Sequence, residues 1–107
     1  MICEWILNFP EGATIQLTFV EFNLEYAYNC VYDRLEVRDG RTSSSPLIGS
    51  YFCGIVAPRT TITSNGNHLY VKFSSDGSVT RTGFSIEVDS GITLRVILRL
   101  LISVFKY

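Results

Sequence analysis

The sequence predicts an all-β fold, an antiparallel sandwich or barrel. Three observations support this prediction: several segments alternate apolar and polar residues, turns rich in Gly, Asn, Asp and Ser separate them, and no helical stripe precedes Gly91. The chain has 107 residues, which is room for one domain. Because 47% of its residues are hydrophobic, it has enough apolar side chains for a packed core.

Each predicted strand is a short run of period-two alternation. In the longest run, Ile15, Leu17 and Phe19 alternate with polar residues, as expected of a strand with one buried face. A second run ends at Asp39-Gly40, which we expect to be a hairpin turn. The predicted strands are 13–22, 35–38, 68–73 and 83–88.

The charge pattern excludes one class of partner and divides the chain in two. The net charge is −1, and no block of basic residues offers a surface for nucleic acid. Residues 1–91 hold six basic and all ten acidic residues, whereas residues 92–107 hold three basic residues and no acidic one. We therefore expect a domain over residues 1–90 and a divergent, apolar and basic tail over residues 91–107.

The tail is open to three interpretations. Its polar residues Arg95, Arg99, Ser103 and Lys106 are spaced as on one face of a helix, which would suit contact with a membrane surface. Its Ile and Val content also suits a β-segment that covers an open sheet edge. The third interpretation is non-coding sequence read through a splice junction after Ser90, in which case removing the tail should improve solubility.

Several motifs, in order along residues 3–88, resemble the CUB domain. The central one runs from Cys30 through Tyr32-Asp33 to Asp39-Gly40. Their number and their order along the chain carry the resemblance. The others are Cys3-Glu4-Trp5, Pro10-Glu11-Gly12, Leu17-x-Phe19-x-x-Phe22-x-Leu24-Glu25, Pro46-Leu47-Ile48-Gly49, Cys53-Gly54, Gly66-Asn67-x-Leu69, Phe73-x-Ser75-Asp76-Gly77-Ser78-Val79 and Gly83-Phe84.

The resemblance implies an extracellular antiparallel two-sheet jelly-roll sandwich whose first strand region is missing before residue 1. Two places depart from the family pattern. Tyr51-Phe52-Cys53 has one aromatic residue more than usual, and Thr60-Thr61-Ile62 looks one residue long. We expect a loop or a bulge to absorb each of these differences.

The cysteines fit the same family. The resemblance implies a disulfide between Cys30 and Cys53, which match the family's third and fourth cysteines. Cys3 matches the second cysteine, so its partner would lie upstream and we expect Cys3 to be unpaired. The alternative is that all three are reduced thiols in a cytosolic protein.

The resemblance also implies a calcium site. Glu25, Asp33 and Asp76 match positions that bind calcium in many CUB domains, and the backbone carbonyls of Ser78 and Val79 would complete an oxygen shell. Tyr32 would orient a carboxylate through its hydroxyl. The alternative is that these carboxylates are solvated loop residues.

The function implied is noncatalytic recognition of an extracellular protein. In this hypothesis calcium orders the acidic loops, and their carboxylates accept a Lys or Arg of the partner. The chain is expected to be secreted or part of an ectodomain. It has a single histidine and lacks the His-Glu-x-x-His zinc motif of a metalloprotease, so we expect no catalysis. Two larger settings remain open: a substrate-selecting module of a tolloid-like metalloprotease, or one repeat of a multi-CUB endocytic receptor.

Overall fold

Two antiparallel sheets make up the fold. The structure, a computed structural model, describes residues 2–24, 26–76, 81–90 and 100–106. The first sheet has the strand order β1-β5-β3 and the second the order β4-β2-β6-β7. The strands are β1 (Ile2–Asn8), β2 (Ile15–Asn23), β3 (Arg34–Arg38), β4 (Thr61–Thr63), β5 (His68–Ser74), β6 (Arg81–Ser90) and β7 (Leu100–Lys106).

This architecture confirms the predicted all-β, two-sheet class. The four predicted segments fall in β2, β3, β5 and β6, whereas the alternation analysis missed β1 and β4. β4 is only three residues long, too short to show a period. β1 shows alternating burial once folded, because its residues from Ile2 to Asn8 pair with β5 along their whole length.

Aromatic side chains of both sheets meet in the core around Phe84. This fully buried β6 residue lies 5.2 Å from Phe73 of the first sheet and 5.9 Å from Phe22 of the second, measured between ring centroids. Trp5 of β1 meets it edge-on at 6.3 Å. Edge-on and tilted geometries are the favourable ones for aromatic rings, so these contacts join the sheets as well as filling the core.

The two departures from the family pattern are taken up without loss of the core. Phe52 packs against the core, with its ring centroid 5.3 Å from that of Phe19, and Tyr51 lies beside it under the guanidinium of Arg34. Near the second departure, the chain turns through Arg59, whose φ is +72°, and rejoins β2 through the bond from its N–H to the carbonyl of Phe19.

The chain returns antiparallel to β3 after Asp39-Gly40, but the expected tight hairpin turn at these two residues is wrong. After β3 the chain forms a wider loop that returns at Leu47, which bridges to Arg38. The N–H of Asp39 donates to the carbonyl of Pro46, and the Asp39 carboxylate accepts hydrogen bonds from Asn65. The contact between the Asp39 side chain and Asn65, in the turn between β4 and β5, favours the wider loop over a two-residue turn.

The outer face of the first sheet carries a band of paired polar side chains. Glu36 is only 4% exposed and forms ion pairs with Arg38 at 2.9 Å and Arg34 at 3.7 Å. The Tyr70 hydroxyl donates to the carboxylate of Glu4. This bond, together with burial, raises the pKa of Tyr70 to about 12.

Part of the tail is a strand. β7 pairs antiparallel with β6 and places Leu100, Ile102 and Val104 opposite Val88, Ile86 and Phe84. A helix through this segment is therefore wrong for residues 100–106, and coverage of a sheet edge is the interpretation that matches the pairing. Within the described part of the chain, no helix has the length and apolar character needed to cross a membrane.

The raised Tyr70 pKa predicts a loss of stability at high pH. The unfolded phenol titrates near 10, so the stability gained from its protonated form is complete below pH 10 and is lost as the pH rises towards 12. Urea midpoints of the wild type measured from pH 8.5 to 11.5 should fall more steeply than those of Tyr70→Phe. Tyr70→Phe itself should cost about 1 kcal/mol at pH 8.

The matched control is Tyr26→Phe, because Tyr26 is 75% exposed. Its pH profile should follow that of the wild type. Identical slopes for the wild type and Tyr70→Phe would contradict the prediction.

Pairing of β7 with β6 predicts that the tail contributes to stability. Deleting residues 91–107 removes the strand that pairs with β6 and exposes the edge of β6 to water, so Tm should fall by at least about 4 °C. Ile102→Pro should lower Tm in the same direction because proline disrupts pairing while keeping the apolar tail. Thermal unfolding followed by circular dichroism measures both; an unchanged Tm in both variants would contradict the pairing.

Candidate functional site

The segments that join β2 to β3 and β5 to β6 emerge at the same end of the sandwich. Arg34, the first residue of β3, lies opposite Ser74, the last residue of β5. Asn23, the last residue of β2, lies opposite Gly83 near the start of β6. We call this end, marked by Asn23, Arg34 and Ser74, the loop end. The strand register therefore brings together segments that are far apart in sequence.

Two of the predicted calcium ligands are neighbours at the loop end. Asp33 directly precedes β3 and is fully buried, and Asp76 follows β5 by two residues and is exposed. The backbone N–H of Asp76 donates to Oδ1 of Asp33 at 3.3 Å. The Asp33 carboxylate thus connects the two segments, and the Asp76 carboxylate stands at the surface beside it.

The other predicted ligands, Glu25 and Ser78, lie outside the described residues, as does Val79. Within the described ranges no group of three or more His, Cys, Asp or Glu side chains is gathered as a metal site. The donors that can be assessed fit a hard cation in kind, because both are carboxylates from two different loops. Tyr32, adjacent to Asp33, has a side chain that is 52% exposed.

A disulfide fastens the same region. Cys30 and Cys53 are bonded, with their Cα atoms 5.6 Å apart, as the family resemblance implied. The bond joins the segment before β3 to the segment that starts at Tyr51. Cys3 is a free, half-buried thiol that packs against the core.

Apolar exposure at the loop end is a feature that the sequence reasoning missed. Of the eight large hydrophobic side chains that are exposed in the described chain, five belong to the two segments that the disulfide joins. One signal in the sequence could have indicated this exposure: Tyr26 and Tyr28 lie in a segment without the alternation of a strand. The five are Tyr26, Tyr28, Val31, Tyr32 and Ile55.

One open cleft lies elsewhere, on the second sheet. It has a volume of about 120 Å³ and contains none of the predicted site residues. Its lining consists of Thr18, Phe19, Val20, Pro58, Arg59 and Glu87.

Comparison with known proteins places this geometry in a family. The family model of the CUB domain matches residues 1–88. The chain is 46% identical to tolloid-like protein 2 of Mus musculus over 83 residues, which is 78% of this chain and 8% of that protein. It is 48% identical to cubilin of Canis lupus familiaris over 82 residues, 77% of this chain and 2% of that protein.

A solved structure agrees with these relatives. The CUB1-EGF-CUB2 domain structure of human MASP-1/3 superposes with a TM-score of 0.67 at 25% identity, covering 97% of this chain and 36% of that one. The chain therefore spans only a small part of the curated relatives that it matches. The matched model, the identity to these relatives and the two-sheet fold lead to one conclusion: this chain belongs to the CUB domain family.

Proposed function

We propose that the loop end binds Ca²⁺ and then receives a Lys or Arg side chain of an extracellular protein partner. Asp33 and Asp76 supply carboxylate oxygens, and Glu25 and the backbone carbonyl of Ser78 complete the set of protein ligands. The bound ion supplies a point of attachment that holds the loops in one arrangement.

The coarser part of this function comes with the family. CUB domains are extracellular, noncatalytic modules that mediate protein–protein interactions. The finer part, a calcium-dependent site that binds a basic residue of the partner, is proposed for this chain. The ligand of the loop end is therefore expected to be a protein.

The hydrogen bond between the Asp76 backbone and the Asp33 carboxylate is the observation that supports the site best. A fully buried carboxylate is costly unless it is paired or hydrogen-bonded. Here it accepts the N–H of a residue whose own carboxylate is exposed. A cation beside this pair would offset part of the cost of burial and attach the second loop to the first.

The exposed carboxylate suits the recognition step. A Lys or Arg of the partner forms a charge-assisted hydrogen bond with a carboxylate, roughly twice as strong as a neutral one. Ordering of the loops before the partner arrives lowers the entropy lost on association. Calcium binding and partner binding should therefore depend on each other.

The parent protein has two candidate settings. The chain would be a substrate-selecting module if the parent resembles tolloid-like protein 2, and one repeat of an endocytic receptor if the parent resembles cubilin.

Calorimetric titration of the oxidised full chain with Ca²⁺ tests the site. We expect saturable binding in the wild type and an increase in Kd of at least about tenfold in Asp76→Asn, because one charged oxygen ligand is lost. This substitution keeps the backbone N–H that donates to Asp33, so the two segments stay joined.

Glu11→Gln is the matched control. Glu11 is an exposed carboxylate in the turn between β1 and β2, which lies at the opposite end of β2 from Asn23. Its titration should equal that of the wild type. An equal loss in both variants, or no binding by a cooperatively folded wild type, would overturn the calcium site.

A further inference from the structure

We propose that the five exposed apolar side chains around the Cys30–Cys53 disulfide form a second contact area that binds the aliphatic neighbours of the partner's basic residue. We call this area the disulfide patch; its members are Tyr26, Tyr28, Val31, Tyr32 and Ile55. The inference rests on the proposed function for the basic residue itself and adds the chemistry of the residues beside it.

The exposure of the disulfide patch is high for apolar side chains. Tyr28 is 81% exposed, Ile55 78% and Tyr26 75%. Single exposed apolar residues are ordinary, but a cluster at one end of a small domain marks an interaction site. Tyrosine is also among the residues that contribute most to binding when an interface buries them.

Backbone contacts hold the members of the patch in one place. Ile55 bridges to Asn23 at the end of β2, and the N–H of Leu24 donates to the carbonyl of Gly54 at 2.8 Å. Tyr26 packs over Gly54, where an added Cβ would lie 3.2 Å from its ring. The disulfide then connects Cys53 to Cys30, next to Val31.

The backbone between Tyr28 and Val31 adopts a conformation that side chains rarely accept. Asn29 has a φ of +57° and Cys30 a φ of +51°. Asparagine tolerates the left-handed region, but for a cysteine it costs energy and persists only where the surroundings impose it. The disulfide and the bond from the Cys30 N–H to the Ala27 carbonyl, 2.9 Å, impose it here. The chain thus displays Tyr28 and Val31 on a fixed support.

Charge identifies the kind of occupant. Among residues 26–33 and 51–55 the only charged side chain is Asp33, and Asp76 lies next to it. The nearby Arg34 is engaged by Glu36 and by the ring of Tyr51. A partner segment with one basic residue and aliphatic neighbours complements this surface, because its charge meets the exposed Asp76 carboxylate while its apolar groups cover the patch. Val31, Ile55 and the tyrosine rings favour aliphatic neighbours of the basic residue, because burying apolar surface there is favourable, whereas polar neighbours would have only the tyrosine hydroxyls to bond.

Three end-blocked peptides test the inference against the full chain in saturating Ca²⁺. Their central sequences are Leu-Lys-Leu, Ser-Lys-Ser and Leu-Gln-Leu, and binding is measured by NMR titration. We expect Leu-Lys-Leu to bind about tenfold more tightly than Ser-Lys-Ser. Tyr28→Ser and Ile55→Ser should each reduce that ratio at least threefold.

Ile6→Ser is the control, because Ile6 is also exposed, at 54%, but lies on β1 outside the patch. It should leave the ratio unchanged. Retained amide chemical shifts in the core show that each variant is folded. Equal affinities of the wild type for Leu-Lys-Leu and Ser-Lys-Ser, or the same ratio in Tyr28→Ser and the wild type, would overturn the inference.

The same titrations separate this inference from the proposed function. Equal binding of Leu-Gln-Leu and Leu-Lys-Leu would contradict the basic-residue site, while a preference for Leu over Ser that depends on Tyr28 would still support the patch. Binding of Lys peptides with no Leu preference would support the basic-residue site and overturn the patch. Absence of binding by all three peptides would overturn both.

Discussion

The packing of the two sheets against each other around Phe84 is the contact on which the rest of the molecule depends. Phe84 reaches Phe73 of the first sheet and Phe22 of its own, so one buried ring touches both layers. The rest of the core is mostly aliphatic, with Phe9 and Phe19 as further buried aromatic residues. Since the loops leave from the ends of these strands, the relative position of the sheets decides which loops meet.

Two different attachments then organise the loop end. One is electrostatic, the bond from the Asp76 N–H to the buried Asp33 carboxylate; the other is covalent, the Cys30–Cys53 disulfide. The disulfide removes conformational freedom from the unfolded chain, so it also stabilises the domain as a whole. Each attachment places a different chemistry at the surface, carboxylates beside the first and apolar groups around the second.

The outer face of the first sheet has a different role from the loop end. Several of its polar groups are engaged within the fold: Glu36 pairs with two arginines, and Tyr70 donates to Glu4. Paired groups of this kind have little left to offer a partner. Asp76 and the members of the disulfide patch are exposed, whereas Glu36 is only 4% exposed, so they are the better candidates for recognition.

The sequence alone was sufficient for the class of fold and for the disulfide. Alternation at Ile15, Leu17 and Phe19 revealed a half-buried strand because its period of two is local, and the order of the motifs revealed the family. Cys30 and Cys53 were paired correctly from that resemblance. The carboxylates Asp33 and Asp76 were named from it as well, but the sequence did not show that one is buried and the other exposed.

The tertiary structure decided what depends on contacts between distant segments. The helical spacing of Ser103 and Lys106 was overridden, because β6 offers an edge whose backbone groups pair with residues 100–106. Likewise, Asp39-Gly40 opens a wide loop because its carboxylate reaches Asn65. The disulfide patch was not predicted for the same reason. Periodicity reports only on neighbours in sequence, whereas the patch combines Tyr28 with Ile55, whose segments are brought together by the Cys30–Cys53 disulfide and the bridge between Asn23 and Ile55.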